Sequence, residues 1–341
     1  MTTPPGAGWR LPALHYPFPP EIHPDAGAAE AHVRQWARRQ GLVTTDAEYA
    51  AVAAARFGDV VAREFPGATP AGLRLACEIY VWHFVFDDRY CDEPHHGSDT
   101  AGLAAAALRM LTTAEEALAG TRAPHLPGAP WPGPAGDPCA RALADICHHL
   151  AALGTPAHLE RFLAAERMYL LGVLTQSAAV QTGTPPSVGD YLTMRYYNCA
   201  TPVALAVLDA AYGFELPDAD HRHPDVRRLC RITAHVNGWA NDVLSYGRES
   251  TRPGAAPLNL PTVLAADRNI GPQQALEEAA RMHNEEIAAY LALEARVGEH
   301  AGPLLLRYLG GLRSMMRGFY DWGLATDRYR VGTHFTARER P

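Results

Sequence analysis

Leu73-Arg74-Leu75-Ala76-Cys77-Glu78-Ile79-Tyr80-Val81-Trp82-His83-Phe84-Val85-Phe86-Asp87-Asp88-Arg89-Tyr90-Cys91-Asp92-Glu93 is the stretch that decides the fold. Leu73, Cys77, Tyr80, Phe84, Asp87 and Cys91 recur at steps of four and three, which traces one stripe of an α-helix. The stripe is apolar or aromatic for three turns and then becomes carboxylate. A core-facing line that runs into Asp87 aims that carboxylate inward. Asp88 and Asp92 are an i, i+4 pair and share the neighbouring face. Three like charges within two turns repel one another and call for a counter-charge, for which metal ions are the simplest candidate.

A second polar line lies in Asn241-Asp242-Val243-Leu244-Ser245-Tyr246-Gly247-Arg248-Glu249. Asn241, Ser245 and Glu249 stack on one helix face, with ~5.4 Å between neighbours. Oxygen ligands without thiolate or imidazole suit a hard cation such as Mg²⁺, which keeps open positions for water and phosphate. Two such half-sites point to a diphosphate held between helices by metal ions. Ala234, Asn237 and Gly238 precede the second line. A glycine inside a helix costs ~1 kcal/mol relative to alanine, so a cavity or packing reason is expected there.

The helical pattern holds from about residue 27 onward, punctuated by Gly and Pro clusters. No strand series and no repeat is visible. The expectation is an all-α fold of about ten helices: an extended N-terminal arm over residues 1–25, rich in proline and aromatics, and one α-helical domain over residues 26–341. Residues 123–138, rich in proline and glycine, read as a loop between helices.

The chain has 341 residues, 48% hydrophobic and 20% charged, a soluble globular composition. A net charge of −7 argues against a nucleic-acid surface. All 30 basic residues are arginine, so any phosphate clamp is made of guanidinium groups. No apolar run of about 18 residues suggests a membrane span. Met1-Thr2-Thr3-Pro4-Pro5-Gly6 does not read as a signal peptide. The six cysteines form no C-x-x-C pair and read as reduced thiols, which makes the cytoplasm the expected location. The adjacent pairs His95-His96 and His148-His149 do not share a helix face, so zinc is not expected.

These residues resemble the class I terpene synthases, in particular the bacterial terpene cyclases. Asp87-Asp88-x-x-x-Asp92 matches the family's aspartate-rich motif, and Asn241, Asp242, Ser245, Arg248 and Glu249 match its second metal motif. The family carries a diphosphate-sensing arginine 46 positions before the second motif, where this chain has Arg195. A C-terminal Arg-Tyr pair is matched by Arg328-Tyr329, with Trp322 before it. The segment Leu258-Asn259-Leu260-Pro261-Thr262-Val263-Leu264 is also similar. The resemblance spans the whole chain.

It implies a single-domain α-helical bundle around a central active-site cavity, and three Mg²⁺ ions. Asp87, with Asp92 more variably, is implied as ligand to two of them, and Asn241, Ser245 and Glu249 to the third. Asp88 belongs to the same metal motif but is implied to bridge Arg195 on closure. Arg195, Arg248, Arg328 and Tyr329 are implied to grip the diphosphate. Tyr80, His83, Phe84 and Trp322 are the pocket candidates, with Trp239 and Tyr196 behind them. Asn198 and Cys199 take the family's linker and effector positions after the sensor arginine. Glycine is common at the effector position, so Cys199 departs from the pattern. Pro202 cannot donate to the Asn198 carbonyl, so a helix kink is expected that leaves the carbonyls of Asn198 and Cys199 facing the substrate.

The implied reaction is ionisation and cyclisation of an isoprenyl diphosphate to a terpene hydrocarbon or alcohol. Farnesyl diphosphate is the first expectation; geranyl, 2-methylgeranyl and geranylgeranyl diphosphate stay open. A homodimer is the assembly the resemblance suggests. A prenyl diphosphate synthase would need a second Asp-Asp-x-x-Asp motif, and a class II cyclase an Asp-x-Asp-Asp motif; neither is visible. A helical scaffold gives no reason for Arg195 and Arg328-Tyr329 to fall where they do.

Overall fold

The computed structural model describes residues 9–90, 99–119, 137–183, 185–250 and 257–329. Among them are fifteen α-helices and no strand: α1 (Ala26–Arg39), α2 (Asp46–Ala55), α3 (Phe57–Glu64), α4 (Pro70–Tyr90), α5 (Thr100–Ala119), α6 (Pro138–Leu153), α7 (Pro156–Thr182), α8 (Val188–Asn198), α9 (Thr201–Ala206), α10 (Leu208–Ala211), α11 (Asp218–Arg222), α12 (Pro224–Ser250), α13 (Leu260–Arg268), α14 (Pro272–Gly298) and α15 (Pro303–Ala325). A 3-10 turn, Asp327–Tyr329, follows. The count exceeds ten because α9, α10 and α11 are four to six residues long, too short to show a period. A left-handed Arg56 also separates α2 from α3. No helix among the described residues is long and apolar enough to cross a membrane.

Local chemistry sets the helix starts. Thr45 and Glu48 form a capping box on α2. The Asp137 carboxylate accepts from Cys139 N–H ahead of Pro138 on α6, and Ser187 Oγ accepts from Asp190 N–H on α8. Asn259 caps α13, accepting from Thr262 N–H at 3.0 Å.

One continuous core runs through the bundle, and long α4 and α12 face the same interior. α12 packs on α14, α15, α8 and α9; α3 packs on α15, α1 and α4. Residues 9–25 lie extended against this frame. Tyr16 stacks on Tyr320 at 4.4 Å and shares a hydrogen bond with His283. Arg317 donates to the carbonyl of Phe18 at 2.8 Å. Cys77, Cys139, Cys147, Cys199 and Cys230 are free thiols.

Candidate active site

A cavity, partly open to solvent, lies between α4, α8, α9, α12 and α15. Asp87, Arg195, Asn198 and Asn241 supply polar wall; Ile79, Tyr80, Phe84, Tyr169, Ala204 and Phe319 supply apolar and aromatic wall. The stripe expected to face the core therefore faces this cavity at Tyr80, Phe84 and Asp87. His83 also lines it, with Nε2 at 3.1 Å from Glu166 and Nδ1 at 2.7 Å from the Ile79 carbonyl.

Arg195 is the hub of the polar end. Its Nε donates to Asp242 Oδ1 at 2.9 Å, and its Nη2 to Asn241 Oδ1 at 2.8 Å and to the Gly238 carbonyl at 3.2 Å. Burial is the largest single influence and opposes its charge, but Asp242, joined by smaller contributions from Tyr191, Cys199 and Glu249, outweighs it and holds the guanidinium more firmly protonated than usual. Asn241 Nδ2 donates in turn to Tyr329 Oη at 2.6 Å. Asn241 thus presents its oxygen, not its nitrogen, to a cation. Burial pushes the Tyr329 hydroxyl up to about 12.

Arg328 forms a two-pronged pair with Asp88, at 3.0 and 2.7 Å. Its guanidinium also lies over Phe84, 5.0 Å from the ring centre, and Phe84 stacks on Phe57 at 4.2 Å. The Asp88–Arg195 bridge implied by the resemblance is not formed: Asp88 is taken by Arg328, and Arg195 is held by Asp242 on α12. The sequence reading gave Asp242 no role. Its carboxylate also accepts from Tyr191 Oη–H at 2.6 Å and from Leu260 N–H at 3.1 Å.

Ser245 and Glu249 follow Asn241 on α12 but do not line the cavity. Ser245 Oγ–H donates to the Asn241 carbonyl at 2.7 Å, and Glu249 Oε2 accepts from Asn259 Nδ2 at 2.7 Å. Arg248 lies in the last turn of the same helix. Asp92 falls outside the described residues, as do most of the two segments after α12 and after Tyr329.

The chain breaks where Pro202 requires. α8 ends at Asn198, Ala200 is left-handed at φ 59°, and α9 starts at Thr201. This is a full break rather than a kink. Val203 N–H turns to the Ala200 carbonyl, away from Cys199. Residues 198–201 line the cavity. A Cβ on Gly238 would sit 3.3 Å from Cys199 Cβ and 3.6 Å from Arg195 Cγ. The helical glycine therefore clears space for these two side chains as well as for the cavity.

Trp322 is corrected. It is fully buried, donates to the Ala55 carbonyl and does not line the cavity. Phe319, one turn earlier on α15, lines it instead, and Trp322 backs Phe84 at 5.7 Å. Trp239 stacks on His235 and Tyr196 lies under Arg231, so neither reaches the wall. Glu64 and Tyr169, which do reach it, were not expected.

Residues 78–289 match the family model described as terpene synthase family 2, C-terminal metal binding. A (+)-(1(10)E,4E,6S,7R)-germacradien-6-ol synthase of Streptomyces pratensis is 30% identical over 320 residues, 94% of this chain and 86% of its own length. A farnesyl-diphosphate-cyclizing 4-epi-cubebol synthase of Streptosporangium roseum is 28% identical over 94% of this chain and 92% of its own. The solved 2-methylisoborneol synthase of Streptomyces coelicolor A3(2), in complex with Mg²⁺ and 2-fluoroneryl diphosphate, superposes with a TM-score of 0.81 at 26% identity. It covers 97% of this chain and 99% of that one.

Proposed function

The chain belongs to terpene synthase family 2, and from that premise we propose that it is a Mg²⁺-dependent class I cyclase acting on farnesyl diphosphate. One observation carries the reading: Asp87 from α4, Arg195 from α8 and Asn241 from α12 meet in a single cavity whose remaining wall is largely apolar and aromatic. The name of the farnesyl-diphosphate-cyclizing relative supports the choice of substrate.

The donor set fits a hard cation. Asp87 and Asn241 offer oxygens at the cavity, Ser245 and Glu249 extend the line along α12, and Asn241 already directs Oδ1 at a positive group. When bound, Mg²⁺ supplies the Lewis acidity that helps the diphosphate leave. Asp87 on α4 would hold it together with Asp92, and Asn241, Ser245 and Glu249 would hold it from α12. Asp88, already paired with Arg328, would answer that arginine in preference to the metal. Arg195, Arg248, Arg328 and Tyr329 bind the departing diphosphate and stabilise its growing charge. Phe84, Tyr80, Tyr169 and Phe319 exclude water and turn aromatic faces toward the cation left behind, each worth ~0.5–2 kcal/mol. The carbonyls of Asn198 and Cys199, released by the α8–α9 break, present their negative ends to the same charge.

The test is incubation of the purified protein with geranyl, 2-methylgeranyl, farnesyl and geranylgeranyl diphosphate, each with Mg²⁺ or EDTA, read by gas chromatography–mass spectrometry. A cyclic terpene from farnesyl diphosphate, absent with EDTA, is expected. Asn241→Ala should lower turnover by about 10²-fold or more with the melting temperature near wild type. Product formed in EDTA, or full turnover by Asn241→Ala, would overturn the metal assignment. Elongated diphosphates after addition of isopentenyl diphosphate would make the protein a prenyltransferase.

A further inference from the structure

Glu64 lies in the cavity wall well away from Asp87. It hydrogen-bonds Tyr80, which stands seven residues before Asp87 on α4, roughly 10 Å along the helix axis. The Tyr80 hydroxyl donates to Glu64 Oε2, and both residues line the cavity. Phe65 packs edge-on against the Tyr80 ring at 5.9 Å and fixes its plane. Glu64 is 1% exposed, and its Oε1 has no hydrogen-bond partner. A buried carboxyl with an orphaned oxygen works against stability, and an apolar side chain of similar volume would not. A residue that stability disfavours, in the wall of a reaction cavity, has its reason in function.

Burial pushes the Glu64 carboxyl up to about 8, against the opposing pull of the Tyr80 hydrogen bond, so it is mostly neutral near neutral pH. A neutral carboxyl is not an anion that captures a carbocation, yet its carbonyl oxygen still accepts the Tyr80 O–H. With that hydrogen turned into the wall, Tyr80 offers the cavity its oxygen lone pairs and ring face, both negative. Freed from Glu64, the same hydroxyl can rotate and offer its positive hydrogen.

We propose that Glu64 is a positioning residue that locks the Tyr80 hydroxyl, and that the Tyr80 oxygen so oriented fixes where positive charge settles during cyclisation, and hence which product forms. The inference rests on the function proposed above.

The test compares Glu64→Gln, Glu64→Leu and Tyr80→Phe with wild type by product ratio and melting temperature. Glu64→Gln supplies a neutral acceptor and keeps the wild-type ratio. Glu64→Leu and Tyr80→Phe each shift the ratio of main product to by-products by about tenfold, and Glu64→Leu melts no lower than wild type. If Glu64→Leu does not fold, a shifted Tyr80→Phe beside an unshifted Glu64→Gln upholds the inference. Unshifted ratios in Glu64→Leu and Tyr80→Phe overturn it, as does a Glu64→Gln that shifts as far as Glu64→Leu. An active wild type with unshifted variants removes this inference alone. A wild type that forms no terpene from any of the diphosphates removes the function and this inference together.

Discussion

Asp242 and Asn241 are neighbours in one motif, yet they face different ways because successive helical residues are rotated by roughly 100°. Asn241 turns to the cavity; Asp242 turns into the packing of α8 and α13, where it is 3% exposed and accepts from Tyr191, Arg195 and Leu260. Asp242→Asn would remove the charge that compensates buried Arg195 and set an amide hydrogen against existing donors. Such a change should cost about 3–5 kcal/mol, measured by urea denaturation, and a loss under about 1 kcal/mol would mean that Arg195 finds another partner. Glu64 predicts a pH effect of known sign. Its folded pKa of about 8 lies above its ordinary 4.5, so the folded state holds the proton more tightly. That stabilisation is complete below about pH 4.5 and is lost as the pH rises through about 8. Wild-type stability minus that of Glu64→Gln should therefore fall by several kcal/mol across this window; a flat difference would show that the carboxyl is solvated.

α4 and α12 could be read from sequence because each combines a long apolar period with acidic residues at helical spacing, and an interruption near Pro202 because proline removes a donor wherever it stands, although the expected kink is a full break between α8 and α9. Which member of a stripe reaches the cavity could not. Phe319 and Trp322 are one turn apart on α15, and it is the packing of that helix on its neighbours that makes the first line the wall and the second back Phe84. Glu64, just before Phe65-Pro66-Gly67, reads as a surface acid at a helix end; its burial comes from α15 closing over α3. That closure depends on Gly318. A Cβ there would lie 2.6 Å from the Arg63 carbonyl carbon and 2.7 Å from Glu64 N, both backbone atoms that cannot swing away. Gly318→Ala should lose about 1–3 kcal/mol through overpacking. Gly310→Ala on the same helix meets nothing nearer than the far end of Arg313 at 3.8 Å and should gain about 0.5–1 kcal/mol. Paired urea curves check the contrast, and equal effects at the two sites would mean that α15 slides to accommodate either methyl.

Four segments far apart in sequence are joined at the polar end of the cavity, and the joints are made by the same groups that would bind substrate. Arg195 occupies Asn241 Oδ1, Arg328 occupies both oxygens of Asp88, Asn259 occupies Glu249, and Tyr329 accepts from Asn241. Acidic oxygens and arginines thus satisfy one another across α4, α8, α12 and the 3-10 turn. A metal taking Asn241 leaves Arg195 short of a partner, which a phosphate oxygen can replace; a phosphate taking Arg195 frees Asn241 for metal. Each ligand then makes the other's site easier to open, and their binding free energies are coupled. Inorganic diphosphate and Mg²⁺ together should raise the melting temperature by more than the sum of their separate shifts. At a hundred times the apparent Kd the joint stabilisation is about 2.7 kcal/mol. Asn241→Ala should reduce the two to additive behaviour, since it removes the atom both sides share. Additive shifts in the wild type, seen by differential scanning calorimetry at fixed ionic strength, would mean that the metal-binding and diphosphate-binding groups act independently, and that their contacts with one another are incidental to binding.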